Sequence, residues 1–257
     1  MKKRIISLAL AVLMVLSLTA CGEKPAPTEA PTAATTEPTA APTEAATEAP
    51  TEAPTEAPTE APTEATEPEN SLALGTVENG TYTNTYAGIG CDLDSSWTIY
   101  TADQLQELPD MTQQMVEGTE LEELMANVTQ FTDVFAENVD MLATMNVLFQ
   151  KLDMSQRLAY AVMDEKSVLD ATLTQQDIMF EAYANAGIYA ESMEIVTVTF
   201  LGEEHYALRT VAESQGVPYY ILQVFDFWLG QYSMTITFSS YVEDTTEDVL
   251  ALFYTVE

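Results

Sequence analysis

The chain has 257 residues, with 41 acidic side chains against 8 basic ones, and its formal net charge is −33. This charge repels phosphate backbones, so the composition argues against a nucleic-acid-binding protein. With two cysteines and one histidine, the chain has too few ligands for a typical structural zinc site.

Residues 1–20 have the pattern of a bacterial lipoprotein signal peptide. Three basic residues at positions 2–4 precede an apolar run over 5–18, and Leu18-Thr19-Ala20-Cys21 matches a lipobox. The run is too short and wrongly flanked for a membrane-spanning helix. We predict cleavage before Cys21 and a diacylglyceryl group on its sulfur. Two acyl chains would hold the protein in the lipid bilayer, on the extracytoplasmic face of the cell membrane. The alternative is an ordinary cleaved signal with an incidental cysteine.

Residues 21–70 are predicted to be a disordered linker that begins with the lipidated Cys21. Beyond that cysteine the segment contains ten prolines, repeats a Thr-Glu-Ala-Pro unit and lacks aromatic residues, Leu, Ile, Val and Met. It cannot bury enough apolar surface to offset the entropy of ordering. At about 3.1 Å per residue it reaches at most on the order of 150 Å. A spacer is favoured over a ligand role for the repeats.

Residues 71–257 are predicted to form one globular domain. They contain every aromatic residue of the chain, and their 30 acidic and four basic residues give a net charge of −26. The length fits a single domain. The negative surface either keeps the domain soluble and away from an anionic membrane, which we favour, or concentrates cations or a basic partner.

The first half of the domain combines strand and helix signals. Turn residues at 79–80, 88 and 94–96 predict three short strands at 81–86, 89–93 and 97–100. Thr101 with Gln104 and Thr119 with Glu122 form capping-box patterns. The second pattern opens an amphipathic helical stripe composed of Leu121, Leu124, Met125, Val128, Phe131 and Phe135. Alternating residues over 139–149 favour a strand hairpin, although a helix also fits.

The second half predicts helices followed by a meander. Residues 155–187 have helical periodicity, with a capping box at Thr174 and Asp177 and a stop at Gly187. The period then changes to two, and four antiparallel strands are predicted at 195–201, 205–213, 218–228 and 232–240. Both strand faces are apolar, so we expect the sheet to be covered on both sides. Thr245 with Asp248 predicts a final helix.

The opening segment carries a family resemblance. Thr81-Tyr82-Thr83-Asn84, Gly88-Ile89-Gly90-Cys91-Asp92-Leu93 and Trp97, with the order of elements that follows, resemble PsbP-like (Mog-type) domains. The chain is also similar to uncharacterised lipoproteins of Gram-positive bacteria. The resemblance covers most of residues 80–257 and implies an α/β (α+β) fold, an αβα sandwich with a central antiparallel sheet. It departs from the family at Asp94-Ser95-Ser96, where a proline is usual, and it implies no functional residues.

No catalytic residue, metal ligand or cofactor site is assigned from the sequence. Cys91 lies in a strand-like run without a basic neighbour, which favours a buried inert thiol. A Cys91–His205 dyad is disfavoured because no protease motif surrounds Cys91, and His205 is interpreted as a surface histidine beside Glu203 and Glu204. Arg209 is expected either to bind an anion or, as we favour, to pair with a carboxylate such as Asp226.

Two acidic clusters resemble calcium sites in part, but neither is favoured as one. Asp92, Asp94 and Ser96 resemble the start of a calcium loop, but Trp97 occupies the position of its glycine. The second cluster lies at the predicted final helix and consists of Glu243, Asp244, Glu247 and Asp248. Helix capping explains it at least as well.

The sequence leaves three functions open. The favoured hypothesis is a non-catalytic surface module that binds an unidentified protein, peptide or cell-wall ligand. The alternatives are a hydrolase that uses a carboxylate pair and a solute-binding accessory protein. The aromatic residues Tyr219, Tyr220, Trp228 and Tyr232 are candidates for lining a groove.

Overall fold

The computed structural model describes residues 72–105 and 129–256, except for the side chains of 103 and 226–228. The predicted signal peptide, the linker and the helix that opens at Thr119 therefore lie outside the described residues. Within these ranges, no helix is long and apolar enough to cross a membrane.

The strands form two antiparallel sheets. The small sheet has the order β1-β2-β3-β11, with β1 Thr76–Glu78, β2 Thr81–Asn84, β3 Ile89–Asp92 and β11 Phe253–Thr255. The large sheet has the order β4-β5-β6-β10-β9-β8-β7. Its strands are β4 Trp97–Thr101, β5 Thr129–Asn138, β6 Ala143–Lys151, β7 Ile188–Phe200, β8 Glu203–Ser214, β9 Val217–Leu229 and β10 Tyr232–Tyr241. The predicted meander is therefore confirmed as β7 to β10.

Five helices lie within the described ranges: α1 Ala102–Leu105, α2 Met154–Tyr160, α3 Glu165–Leu173, α4 Gln176–Asn185 and α5 Thr246–Leu250. Asp153 caps α2, and the Asp164 carboxylate accepts from the Ser167 amide to cap α3. The capping box predicted at Thr174 and Asp177 is wrong. Thr174 instead ends α3, where its hydroxyl donates to the Ala171 carbonyl at 2.6 Å.

The large sheet is covered on both faces, as predicted from its two apolar faces. One face packs against the small sheet and α5, with Tyr82, Met145, Ile236, Phe238 and Phe253 among its buried residues. The opposite face of β7–β9 packs under α3 and α4, around Leu169, Met179, Tyr183, Leu208 and Ile221. This arrangement confirms an α+β sandwich with a central antiparallel sheet; the small sheet and α5 form one of its outer layers.

Asp133 joins the two sheets. A β-bulge between Thr132 and Val134 interrupts the register of β5 at this residue, and bulges re-aim side chains. The Asp133 carboxylate is 2% exposed. It accepts hydrogen bonds from the Tyr82 hydroxyl at 2.7 Å, the Asn84 amide at 2.7 Å and the Gly75 backbone N–H at 2.9 Å. Burial and the neighbouring Asp133 carboxylate raise the pKa of Tyr82.

Three predicted elements differ from the structure. Phe131 and Phe135 lie on strand β5 rather than on the predicted helix. Val139 and Met141 lie in the turn between β5 and β6 and are exposed, whereas Ala143 to Phe149 lie on the single strand β6. The hairpin predicted within 139–149 is therefore wrong, because β6 pairs with β5, which precedes this turn. The predicted final helix ends at Leu250 without a side-chain cap from Thr245, and β11 follows and pairs with β3.

Candidate functional site: the polar face of the large sheet

One half of the large sheet buries polar side chains instead of apolar ones. Along β10, apolar residues point toward the small sheet while Ser233, Thr235, Thr237 and Ser239 alternate with them. The same alternation occurs on β6 except at Leu148, and single polar residues lie on the same side of β5 and β9. We call this set the polar face; it comprises Glu137, Thr144, Asn146, Gln150, Gln223, Ser233, Thr235, Thr237 and Ser239. Each of these residues is at most 5% exposed.

The strand register brings the central residues into line. Phe135 pairs with Asn146, Asn146 with Thr237, and Thr237 with Gln223, so one row crosses four neighbouring strands. With strands about 4.8 Å apart, this row is about 14 Å long. Gln150 lies on the same side of β6, four residues beyond Asn146, and pairs with Ser233. The polar residues therefore share one side of the sheet, with Leu148 between Asn146 and Gln150.

Several amide atoms of the polar face have no hydrogen-bond partner among the described residues. They are Oδ1 of Asn146, both Nε2 and Oε1 of Gln150, and Oε1 of Gln223. Asn146 and Gln150 are 2% and 1% exposed, and Gln223 is completely buried. A buried polar atom without a partner costs about 1–3 kcal/mol. Native structures keep few such atoms, and each of them calls for an explanation.

Other polar-face groups are already partnered. The hydroxyls of Thr144 and Ser239 lie 2.6 Å apart, and Nε2 of Gln223 donates to the Thr237 hydroxyl at 3.2 Å. These contacts hold Gln223 so that its amide oxygen stays without a protein partner. At least Oε1 of Gln223 is therefore held in place by a neighbour, as a preformed binding site requires.

The β4 end of the polar face has an aromatic border. Tyr100 pairs with Phe135, and their rings lie 5.9 Å apart at an angle of 40°. The Tyr100 hydroxyl donates to Oε1 of Glu137 at 3.1 Å. Burial, then the bond to Glu137, raises the pKa of Tyr100. Tyr100 is partly exposed, so this end is more open than the centre.

The polar face carries no basic side chain among the described residues of its strands. Lys151 follows Gln150 on β6 and therefore points to the opposite side of the sheet. Arg209 of β8 pairs with Glu247, and its Nε lies 3.7 Å from Oδ2 of Asp244. Because the described strands of the polar face present no cation to these amides, the amides are suited to an uncharged partner rather than to a phosphate or a carboxylate.

The sequence-predicted residues lie away from the polar face. Cys21 is outside the described residues. Cys91 is fully buried between the two sheets, and burial, followed by the charge of Asp92, raises the pKa of its thiol to about 12. It is therefore a weak nucleophile, in line with the interpretation as an inert thiol.

His205 is the third residue of β8 and lies on the side of the sheet opposite to the polar face. Its Nδ1 lies 3.4 Å from Oε1 of Glu165 in α3, and its ring contacts Phe200 edge-on. The carboxylate that lies near the His205 ring is thus that of Glu165, whereas Glu203 and Glu204 were the predicted neighbours.

The carboxylates of the two acidic clusters accept hydrogen bonds from neighbouring side chains and amides. Asp92 accepts from Thr81 and Tyr254, and Asp94 accepts from the Ser96 amide, so the two carboxylates serve different partners. Asp244 accepts from both the amide and the hydroxyl of Thr246. Among the described residues, no three acidic, histidine or cysteine side chains are placed to hold a metal ion.

The favoured carboxylate pairing of Arg209 is observed, but with other partners. Asp244 and Glu247, at the start of α5, take the place suggested for Asp226. The side chains of Asp226 and Trp228 are not among those that the structure describes.

Two residues of the predicted aromatic groove, Tyr219 and Tyr232, lie in different parts of the fold. Tyr219 is fully buried beneath α4 in the apolar cluster. Tyr232 instead contacts Tyr86 and Phe131 near the small sheet, with ring centroids 6.2 and 6.5 Å apart. The aromatic residues that do border the polar face, Tyr100 and Phe135, were not singled out from the sequence.

The comparisons with known proteins yield a fold likeness alone. No family model and no curated protein matches the chain. Among solved structures, it is similar to cyanobacterial PsbP (CyanoP) from Synechocystis sp. PCC 6803, with 11% identity and a TM-score of 0.39. The match covers 73% of this chain and 95% of the other. The opening strands resemble the same family. A likeness of this strength adds no argument about the site.

Proposed function

We propose that the chain is a membrane-anchored extracytoplasmic lipoprotein whose domain is a non-catalytic binding module for a small uncharged polar ligand. The observation that carries the binding role is the set of unpartnered amide atoms on the polar face, at Asn146, Gln150 and Gln223. The anchoring role rests on the lipobox at Cys21.

The energetic cost of the polar face supports a ligand. Four unpartnered atoms at about 1–3 kcal/mol each amount to roughly 4–12 kcal/mol, which is comparable to the entire stability of a typical domain, about 5–15 kcal/mol. An apolar side chain at these positions would avoid the cost. A ligand that supplies donors and acceptors would satisfy the amides and stabilise the folded state by mass action.

The arrangement favours binding over hydrolysis. A two-carboxylate hydrolase needs paired acids about 5–10 Å apart, whereas Glu137 is the one carboxylate among the residues that define the polar face. Its Oε1 already accepts from Tyr100. The thiol of Cys91 is buried and protonated. The described polar face therefore offers recognition groups rather than a catalytic pair.

Apolar substitution tests whether the amides of the polar face are free for a ligand. We expect Gln150→Leu to raise the free energy of unfolding by about 1–3 kcal/mol, because it removes an unpartnered buried amide. Gln176→Leu is the control, since Gln176 is exposed on α4 and the two residues have similar helix propensity. Urea unfolding gives both values. A Gln150→Leu variant that is less stable than the control variant would show that the amide is satisfied, and the binding proposal would fail.

The anchor is tested separately by intact mass and detergent partitioning of the native protein beside Cys21→Ala. We expect the native chain to lack residues 1–20, to carry a diacylglyceryl mass and to partition into detergent, and the variant to remain in the aqueous phase. An unmodified, aqueous native chain would contradict the anchoring proposal and leave the binding proposal standing.

A further inference from the structure

We infer that the ligand of the polar face is a short neutral saccharide; this inference rests on the proposed binding function and names its chemical class. The inference rests on three features of the polar face: its unpartnered amide donor and acceptor atoms, the lack of a basic side chain on that side of its described strands, and the aromatic border at one end.

The unpartnered atoms require both donors and acceptors from the ligand. Nε2 of Gln150 needs an acceptor, while Oε1 of Gln150, Oδ1 of Asn146 and Oε1 of Gln223 need donors. A hydroxyl group supplies both functions from one atom, and a sugar ring carries several hydroxyls on neighbouring carbons. An alkane or aromatic ligand supplies neither, and a carboxylate or phosphate supplies acceptors alone.

The charges of the side chains around the polar face favour neutral sugars over anionic ones. Arg209 is engaged by Asp244 and Glu247, Lys166 pairs with Asp170, and Lys151 points away from the polar face. Glu137 belongs to the polar face and is a carboxylate that retains acceptor capacity beyond its bond to Tyr100. The described strands of the polar face carry no basic side chain on that side, so a buried anion would find no cation on these strands to offset its desolvation. Uronic acids and sugar phosphates are therefore disfavoured.

The aromatic border supplies the remaining element of sugar recognition. A sugar ring is polar at its edge and has C–H groups on its faces, which pack against aromatic rings as apolar surface. Phe135 is the cross-strand neighbour of Asn146, and Tyr100 continues the same row toward the partly exposed edge at β4. A saccharide that enters at Tyr100 would meet aromatic surface first and the amides next.

The inference is tested by calorimetric titration of the mature chain with matched small probes. The neutral sugars are glucose, galactose, N-acetylglucosamine and cellobiose; the neutral amide is N-acetylglycinamide; the anions are glucuronate and glucose 6-phosphate. We expect at least one neutral sugar to bind and the corresponding anion to bind at least tenfold more weakly. Asn146→Leu and Gln150→Leu should each weaken sugar binding at least tenfold, and Gln176→Leu should leave it unchanged. Native-like unfolding curves confirm that the variants fold.

The failures of the two proposals are distinguishable. If the amide or an anion binds, no neutral sugar does, and the Leu variants abolish that binding, the saccharide inference is overturned and the polar face remains a binding site. If no probe binds and Gln150→Leu is destabilising, both proposals fail. If a sugar binds but neither polar-face variant weakens it, the site lies elsewhere and both assignments to the polar face are wrong.

Discussion

Replacement of Asp133 should destabilise the fold by weakening the attachment of the small sheet to the large sheet. In Asp133→Ala, the Tyr82 hydroxyl, the Asn84 amide and the Gly75 N–H all lose their acceptor. Unsatisfied donors cost about 1–3 kcal/mol each. Part of this cost is recovered because the variant no longer buries a charge, so we expect a net loss of about 3–5 kcal/mol. For a domain of this size, this loss corresponds to a fall in melting temperature of roughly 6–20 °C.

Urea unfolding followed by tryptophan fluorescence measures this loss, with two controls. Asp140→Ala removes a carboxylate from the exposed turn after β5 and should change the stability by no more than about 0.5 kcal/mol. Tyr82→Phe removes one of the bonds to Asp133 and should cost about 1–3 kcal/mol. If Asp133→Ala lost no more stability than Asp140→Ala, the hydrogen bonds of Asp133 would not stabilise the contact between the sheets.

Three further predictions concern other buried or paired groups. In a Cys21→Ala background, Cys91 should react with Ellman's reagent at least about 100-fold more slowly in the native than in the urea-unfolded protein, because its thiol is buried with a pKa of about 12; similar rates would contradict its burial. Burial raises the pKa of Tyr82, Tyr183 and Tyr219 from 10.0, so their contribution to stability is complete below pH 10 and is lost as the pH rises above it. The urea midpoint of unfolding should therefore fall between pH 8 and pH 11, and Tyr183→Phe should make this fall less steep. An equally steep fall in the variant would show that Tyr183 does not contribute to the pH dependence. Arg209→Met should cost about 0.2–1 kcal/mol, since Arg209 and its partners are partly exposed, and the loss should shrink in 0.5 M NaCl; a loss that salt does not alter would show that packing, not charge, explains it.

The meander was predictable because its signals are local. Strict alternation and short turns determine β7 to β10 within a few residues of each position. The helices over 155–187 were likewise predictable from periodicity. Gly187, at φ 77, ends this helical region as expected.

The prediction that placed Phe131 and Phe135 on a helix was wrong because four-residue spacing fits two structures. The spacing matches one helical face, but residues four apart also share one face of a regular strand. Here the bulge at Asp133 puts Phe131 into the cluster facing the small sheet, and Phe135 on the other face. The hydrogen bonds that stabilise this bulge come from residues about 50 positions earlier in the chain. The local sequence pattern around Phe131 and Phe135 therefore gives no information about these distant hydrogen bonds.

The polar face was missed although its signal is present in the sequence. The alternation of Ser233, Thr235, Thr237 and Ser239 with apolar residues normally indicates a strand with one solvated face. In the structure these residues are buried. Burial is a tertiary property, so alternation alone could not distinguish a solvated face from an enclosed site.

The pairing of β11 with β3 gives the domain a late folding step. Tyr254 and Asp92 are hydrogen-bonded across 162 residues of sequence, and Phe253 pairs with Cys91. During synthesis, β3 can pair with β2 early, but its other edge stays without a partner until residues 253–255 have left the ribosome. Contacts of such high sequence separation fold slowly. The nascent chain should therefore keep this edge of β3 open and the small sheet incomplete until β11 has emerged.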